Sequence, residues 1–434
     1  MAPPPEKLSV VVLGGGTVGA QVVRLLEEQS DDLAARVGAR LVVTGVGVRD
    51  AARDRPGIRP ELLSADLPAL LDTDPDLVVE LMGGIEPAKE LILRALKGGA
   101  SVVTANKALI ATEGAALHAA AVEAGVDLSY EAAVAGAIPL LRPLRESLAG
   151  DRIRRVLGIV NGTTNYILTQ MESTGASFAA ALAEAQDLGY AEADPTADVE
   201  GLDAAAKAAI LASIAFHTRV TLADVDVQGI TAVSSEDVAA AQEMGYDIKL
   251  LAIAELIETA EGAGVSVRVH PTLVPRTHPL AGVRDAFNAV FIEADAAGQV
   301  MFYGRGAGGA PTASAVLGDI VTAARNRVSG STGPGESAYA QLPVLPMGAA
   351  TTAYFVHLRV LDRPGVLAGV AGAFAEHGAS IRSMTQNGEG DQAELLILTH
   401  PGREADLAAT VEQLRRLDSV DEVVGFMRVI GAAQ

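Results

Sequence analysis

Residues 8–29 read LSVVVLGGGTVGAQVVRLLEEQ. The apolar, β-branched run over 8–14 reads as a strand buried on both faces. Residues 17–29 then follow a helical period. Between them, Gly14, Gly16 and Gly19 stand in the G-x-G-x-x-G spacing. Such glycines permit a tight turn and close approach of the backbone to a pyrophosphate. The next helix offers its N-terminal N–H groups to that anion. An ordinary glycine-rich turn has the same composition. The place of this one, between a strand and a helix, favours dinucleotide binding.

Further along, ARLVVTGVGV (39–48), DLVVELM (76–82), SVVTA (101–105) and DLSYEA (127–132) read as strands, separated by helix-like PAKELILRALKGG and ALIATEGAALHAAAVEAG. This alternation predicts a parallel, doubly wound α/β sheet. The end of the second strand should meet the adenosine ribose. An acid there favours NAD, and an arginine holds the NADP 2′-phosphate. Arg49 comes first, then Asp50, Arg53 and Arg55. The reading leans to NADP with NAD tolerated, and a solvated mixed-charge loop stays open for Arg53 and Arg55.

The middle changes character. IPLLRPLRESL, TTNYILTQME, FAAALAEAQDLG and VEGLDAAAKAAILASIAFH (199–217) read as helices. DIKLLAIAELI, GVSVRVHPTLV, AFNAVFIEA and QVMFYG read as strands. An α+β domain is expected, with one more helix at 310–328. Residues 329–350, rich in Ser, Gly and Pro near their start, read as a linker or extended arm. The remainder gives β-α-β-β-α-β, a ferredoxin-like unit. The expected division is a dinucleotide-binding domain over 1–135, onto which helix 310–328 packs back, a catalytic and dimerisation domain over 136–328, the linker, and a C-terminal domain over 351–434.

A chain of 434 residues is too long for one core. Its net charge of −21 repels phosphate backbones, which argues against nucleic-acid partners. The absence of cysteine excludes disulfides, zinc–thiolate sites and thiol nucleophiles. The start shows no signal-peptide pattern and no membrane span, so a cytoplasmic protein is expected. The seven histidines show no metal-ligand spacing.

Lysine is scarce: there are six. Lys107, in SVVTANKALIA, follows a predicted strand, where ligands of open α/β sheets bind. A surface lysine at a helix start is the other reading. Lys207 closes the acidic stretch GYAEADPTADVEGLDAAAK (189–207). Asp203 stands four residues earlier on the same helix face. The helix is apolar around the rest of its surface, so the pair should be buried. Such a lysine can serve as general acid or base. An ordinary helix ion pair, worth about 0.3–0.5 kcal/mol when exposed, fits the segment equally well.

AQDLGYAEADPTADVEGLDAAAK resembles the signature of the homoserine dehydrogenase family at Ala185, Gly189, Tyr190, Asp194, Pro195, Asp198, Gly201, Asp203 and Lys207. GGGTVG, VVTANKALIA, YEAAVAGAIPL, NGTTNYIL and GAPTASAV resemble the family's other blocks in the family order, so the resemblance covers the whole chain. It implies a Rossmann-type cofactor domain and reversible NAD(P)H-dependent reduction of L-aspartate 4-semialdehyde to L-homoserine, towards threonine, methionine and isoleucine. By motif position, Lys207 is the proton donor, supported by Asp203. Lys107 lies between nicotinamide and substrate. Glu192 holds the substrate ammonium, with Asp198, Gly162 and Thr163 also at the substrate. The cofactor set is Gly14, Gly16, Thr17, Val18, Gly19, Arg49, Thr104, Lys107 and Gly306. The resemblance further implies a monovalent cation, Na+, on the backbone oxygens of Val134, Gly136 and Ile138, with Glu131 close by.

VLDRPGVLAGVAGAFAEHGASIRSMTQ (360–386) resembles an ACT domain. That implies an amino-acid effector, threonine in this pathway, with Asp362, Gly365, His377 and Gly378 as candidate contacts. A purely structural dimerisation module is the alternative. A homodimer through the middle sheet is expected, extended to a homotetramer by ACT pairing. A form without an aspartokinase domain is also expected. Aspartate semialdehyde dehydrogenase, which needs a cysteine nucleophile, is excluded on chemistry. The rival from another class is a catalytically silent amino-acid sensor on the same scaffold.

Overall fold

The computed structural model describes residues 6–260, 262–388 and 391–430. Residues 1–5 and 431–434, which the leader reading and the outer domain bounds include, lie outside the described residues. The chain forms two compact units. One comprises Met1–Arg154, Ala209–Asp224 and Ile292–Gln341, the other Arg155–Ala208, Val225–Phe291 and Leu342–Gln434. The linker stretch 329–350 is thus divided between them.

The first unit is built on a six-stranded parallel sheet. Its order is Leu63–Ser64, Arg40–Gly47, Lys7–Leu13, Leu77–Glu80, Ser101–Thr104, Leu128–Ser129. Val10, Val11, Val12 and Leu13 are fully buried, as a strand covered on both faces requires. Strand order reverses between Lys7–Leu13 and Leu77–Glu80, the place where an open α/β sheet leaves a crevice for a nucleotide. Helix Gly309–Ser329 joins this core through Val316, Ile320 and Ala323, packed with Val10, Val12 and Val22.

Local structure departs from the sequence reading in this unit. DLSYEA supplies only Leu128–Ser129 as strand, because the chain then turns at Glu131–Ala133. The Glu131 carboxylate is drawn inward there to accept backbone N–H groups. Helix Ser30–Val37 has no counterpart in the sequence reading, since its eight residues are too few and too polar to show a period. IPLLRPLRESL forms one wide turn, with Leu148 N donating to Pro143 O at 2.9 Å, rather than a regular helix.

In the second unit Tyr246–Thr259 and Gly262–Pro275 form a long antiparallel ribbon, and Ile153–Ile159 pairs with the first of them through Arg155–Gly158. The stretch 199–217 is not one helix. Gly201 takes φ +81°, a left-handed conformation that ends the short helix Thr196–Val199, and a new helix runs Leu202–Ala215. Asp203 therefore sits in a first turn, where an anion is favoured. Helix Ser235–Glu243, with a capping box from Ser234 and Asp237, was not read from sequence either.

The C-terminal segment folds as β-α-β-β-α-β. Its strand order is Val420–Val429, Thr351–Leu361, Gln392–Thr399, Ile381–Gly388, all antiparallel. Helices Val366–Glu376 and Glu404–Leu414 bury Val370, Phe374, Leu407 and Val411 against it. Its sheet is continuous with the long ribbon: Thr272 and Leu273 pair in parallel with Arg428 and Val429.

Candidate active site

Lys207 and Asp203 are 9 % and 8 % exposed, so the pair is desolvated. The Lys207 ammonium donates to Asp203 Oδ2 at 2.7 Å and to Val160 O at 2.6 Å. Asn161 Nδ2 donates to the same Asp203 oxygen at 2.8 Å and to Asp198 Oδ1 at 2.7 Å. Asn161 also caps helix Gly162–Thr174 by accepting from Thr164 N at 2.9 Å. The strand end Ile159–Asn161, the first turn of the Lys207 helix and Asp198 thus form one hydrogen-bonded cluster. Thr163 instead donates outside this cluster, to Tyr190 O at 2.7 Å.

The five acids of 189–207 separate by environment. Asp203 is buried with Lys207, and Asp198 is half-buried on Asn161. Asp194 is exposed and accepts from Thr196 N and Oγ1. Those bonds hold its carboxyl below the usual carboxylate range. Glu192 and Glu200 are exposed.

In the first unit the glycine loop follows Leu13. Gly14 has φ +117°, and a Cβ there would lie 2.7 Å from the Leu81 backbone. A Cβ at Gly19 would lie 1.9 Å from Gly14 O, so the helix packs directly on the loop. Gly16 meets nothing within 4 Å. Helix Thr17–Glu28 has neither a side-chain cap nor an acid in its first turn. An open loop leading to uncapped N–H groups fits a pyrophosphate. Thr17 is exposed and Val18 half-buried at that start. A Cβ at Gly309 would meet Thr17 Cγ2 at 2.9 Å, which brings the Gly306–Gly309 turn to the same loop.

Arg49 is exposed at the end of the second strand. Arg55 lies nearer the glycine loop, its Cδ 3.2 Å from a Cβ built on Gly15, and its guanidinium donates to Asp50 O and Arg53 O. Thr104 is fully buried. Its hydroxyl donates to Glu80 at 2.6 Å and accepts from Asn106 N at 3.0 Å, so its backbone is what it offers a nucleotide. Lys107 is half-buried and begins helix Lys107–Ala124, which Asn106 caps while donating to Gly84 O.

Around Glu131 the backbone is unusual. Ala135 (φ +57°) and Gly136 (φ +54°) are consecutive left-handed residues. A Cβ at Gly136 would lie 2.3 Å from Gly306 O, and Ala137 N donates to Arg305 O. Among the described residues, no hydrogen bond reaches the carbonyl oxygens of Val134, Gly136 or Ile138. Carbonyl oxygens of buried residues that no backbone amide engages are of the kind a hard cation takes. The Glu131 oxygens are themselves engaged by the amides of Leu140, Leu141 and Arg142.

The four effector candidates separate. Asp362 and Gly365 line a cavity of ≈ 310 Å³ with Arg363, Pro364 and Gln386. His377 and Gly378 follow the other end of helix Val366–Glu376 and do not line it.

Comparison with known proteins settles the family. Residues 14–131 match the homoserine dehydrogenase NAD-binding domain, 139–321 the homoserine dehydrogenase domain, and 354–419 the ACT domain. The chain belongs to the homoserine dehydrogenase family. It is 58 % identical to the homoserine dehydrogenase of Mycobacterium tuberculosis over 98 % of both chains. It is 56 % identical to that of Corynebacterium glutamicum over 98 % of this chain and 96 % of the relative. The crystal structure of a homoserine dehydrogenase from Thiobacillus denitrificans superposes with a TM-score of 0.92 at 40 % identity, covering 99 % of each chain. A hyperthermophilic archaeal homoserine dehydrogenase solved with NADPH gives 0.62 at 27 % identity, over 76 % of this chain and 99 % of that one.

The protein is therefore an NAD(P)-dependent oxidoreductase with a C-terminal ACT domain. Among the described residues, no helix is long and apolar enough to cross a membrane. Sequence reasoning passed over Asn161, Asn106 and Glu80. Asn161 and Asn106 carried a signal, since each is an Asn immediately before a helix, which marks a cap. Glu80 carried none, because a carboxylate inside an apolar strand declares its partners only in three dimensions.

Proposed function

We propose that the enzyme reduces L-aspartate 4-semialdehyde to L-homoserine, reversibly and with NADPH preferred over NADH, with Lys207 as the catalytic acid. The observation that carries this reading is the Lys207–Asp203–Asn161 cluster. A buried ammonium with a fixed carboxylate and carbonyl partner is pre-oriented to give a proton where negative charge develops. The bound nicotinamide nucleotide supplies hydride to the aldehyde carbon. Lys207 gives its proton to the carbonyl oxygen and takes it back in the reverse direction. Asp203 supplies the counter-charge and fixes the rotamer. Glu192 and Asp198 serve the substrate ammonium, Gly162 and Thr163 line the substrate, and Lys107 serves the nicotinamide side.

Gly14, Gly16, Thr17, Val18 and Gly19 hold the pyrophosphate, with Thr104 and Gly306 as further contacts. Arg49 and the nearby Arg55 recognise the 2′-phosphate. Na+ is held by the carbonyls of Val134, Gly136 and Ile138, with Glu131 adding negative charge. Domain roles follow 1–135 with helix 310–328, 136–328 and 351–434. The enzyme works in the cytoplasm towards threonine, methionine and isoleucine, as a homodimer or homotetramer. L-threonine binds by Asp362 and Gly365 as feedback inhibitor.

The test is NADPH oxidation with aspartate semialdehyde, repeated with NADH, with Na+ replaced by choline, and with L-threonine. Homoserine formation, slower turnover with NADH or choline, and inhibition by threonine are the expected results. Equal turnover with both nucleotides removes the arginine assignment, and no homoserine removes the reaction.

A further inference from the structure

The segment Val227–Ile230 is clamped between the long ribbon and the turn that precedes the Lys207 helix. Val227 pairs in parallel with Val269, and Gln228 N donates to Val269 O at 2.8 Å. Ile230 N donates to Val199 O at 2.8 Å. Gly229 stands between these bonds without room for a side chain. A Cβ there would lie 2.2 Å from Val199 O and 2.5 Å from Glu200 Cα, both backbone atoms. A Cβ at Gly201 would meet Val227 Cγ1 at 3.1 Å and Val269 Cγ1 at 3.3 Å. The turn Val199–Gly201 is therefore seated on this segment. Asp198 immediately precedes the turn, and Asp203, the partner of Lys207, follows it by two residues.

The segment has a second anchor in the C-terminal domain. Arg428 Nη1 donates to Gln228 Oε1 at 3.1 Å. The Nε and Nη2 of Arg428 lie 2.8 and 2.6 Å from Glu404 Oε1. Glu404 is buried and also accepts from the hydroxyls of Tyr354 and Thr352, each at 2.6 Å. This satisfied network fixes the Arg428 head group.

We propose that Gly229 is a positioning residue for Lys207: its lack of a side chain lets Val227–Ile230 seat the Val199–Gly201 turn, while Arg428 holds the segment through Gln228. This rests on the reading of Lys207 as acid. A Cβ forced against Val199 O and Glu200 Cα moves backbone, and misplacement by an ångström costs about a hundredfold in rate.

The experiment pairs kinetics with amide hydrogen exchange. Gly229→Ala is expected to lower kcat by about ten- to a hundredfold. KM for NADPH should be unchanged, and amides 199–205 should exchange faster. Gln228→Leu removes only the Arg428 bond and decides the matter if Gly229→Ala does not fold. It is expected to lower kcat by about two- to fivefold, on the scale of one lost hydrogen bond, with faster exchange over the same amides. Gln228→Glu, which pairs with Arg428, should restore both. A Gly229→Ala enzyme matching wild type in kcat and exchange overturns the proposal. So does a fall in melting temperature with kcat and local exchange unchanged. The exchange readout is independent of the role of Lys207. Faster exchange at 199–205 beside an undiminished kcat would overturn the positioning role, whereas a Lys207→Ala enzyme at the wild-type rate would count against Lys207 as acid and leave the packing standing.

Discussion

Asn161 donates through Nδ2 to Asp203 Oδ2 at 2.8 Å, onto the oxygen that also accepts the Lys207 ammonium at 2.7 Å. Asn161 is at once the cap of helix Gly162–Thr174 and the support of the acid's partner. The two roles separate by substitution. Asn161→Asp keeps a capping oxygen but sets a third carboxylate against Asp198 and Asp203. The cap is kept, since Asp caps as well as Asn, so a fall in stability of about 2–4 kcal/mol reports the buried, unpaired carboxylate rather than the cap. The variant's kcat should fall about tenfold or more, because an unpaired like charge reorients Asp203. Steady-state kinetics beside thermal melts checks this, and full activity in Asn161→Asp would show that the bridge is dispensable.

The glycine loop gives a paired contrast. Gly19→Ala places a methyl 1.9 Å from Gly14 O, so loop and helix must part. NADPH affinity should fall about a hundredfold or more, the scale of losing a pre-organised anion site. Gly16→Ala meets no protein atom within 4 Å, so the fold should be untouched. Any loss of affinity in that variant reports the nucleotide's own approach. Fluorescence titration with NADPH and circular dichroism read the two effects separately.

His118 is buried against Tyr130, with Nε2 3.1 Å from its hydroxyl. Burial first, and Arg145 second, bring its pKa down to about 4 from 6.5. The folded protein therefore binds this proton less readily than the unfolded chain. The contribution is present above pH 6.5 and is lost as pH falls from 6.5 towards 4, up to roughly 3 kcal/mol. Buried His270 shifts in the same direction, again chiefly by burial. Urea unfolding at pH 4.5 and pH 7 should show lower stability at the acid end. His118→Gln should flatten that slope and leave a remainder from His270.

Lys249 is fully buried, and its Nζ donates to Val283 O at 2.7 Å. Burial brings its pKa down to about 8. Its charge thus costs stability at neutral pH, and stability should rise between pH 8 and 10.5 as the unfolded chain becomes the better proton binder. Lys249→Met removes the charge and one hydrogen bond. The variant should equal or exceed wild type by up to roughly 2 kcal/mol at pH 7. A loss of more than about 1 kcal/mol would mean that the Val283 bond outweighs the buried charge.

Much of this architecture was legible in the sequence, for physical reasons. Strands buried on both faces leave continuous apolar runs, and the C-terminal β-α-β-β-α-β order is local in sequence. The break at Gly201 was missed because apolar periodicity runs through it, while a left-handed glycine shows only in the backbone. The pairing of Thr272 with Arg428 was missed because residues so distant in sequence share no local pattern. At the site, residues with chemistry in their side chains stood out: Lys107, Lys207, Asp203. Val160 O and the Gly229 contact act through backbone and packing and leave no such mark, while Asn161, which acts through its side chain, is marked only as a helix cap.

The central claim is that Lys207 gives the proton. The most direct test is single-turnover NADPH oxidation by Lys207→Ala with aspartate semialdehyde, beside wild type, after titration has shown that both bind NADPH equally. The account predicts a fall in the chemical step of about a thousandfold, as for loss of a positioned general acid, with nucleotide affinity intact. A variant that turns over at the wild-type rate would contradict it.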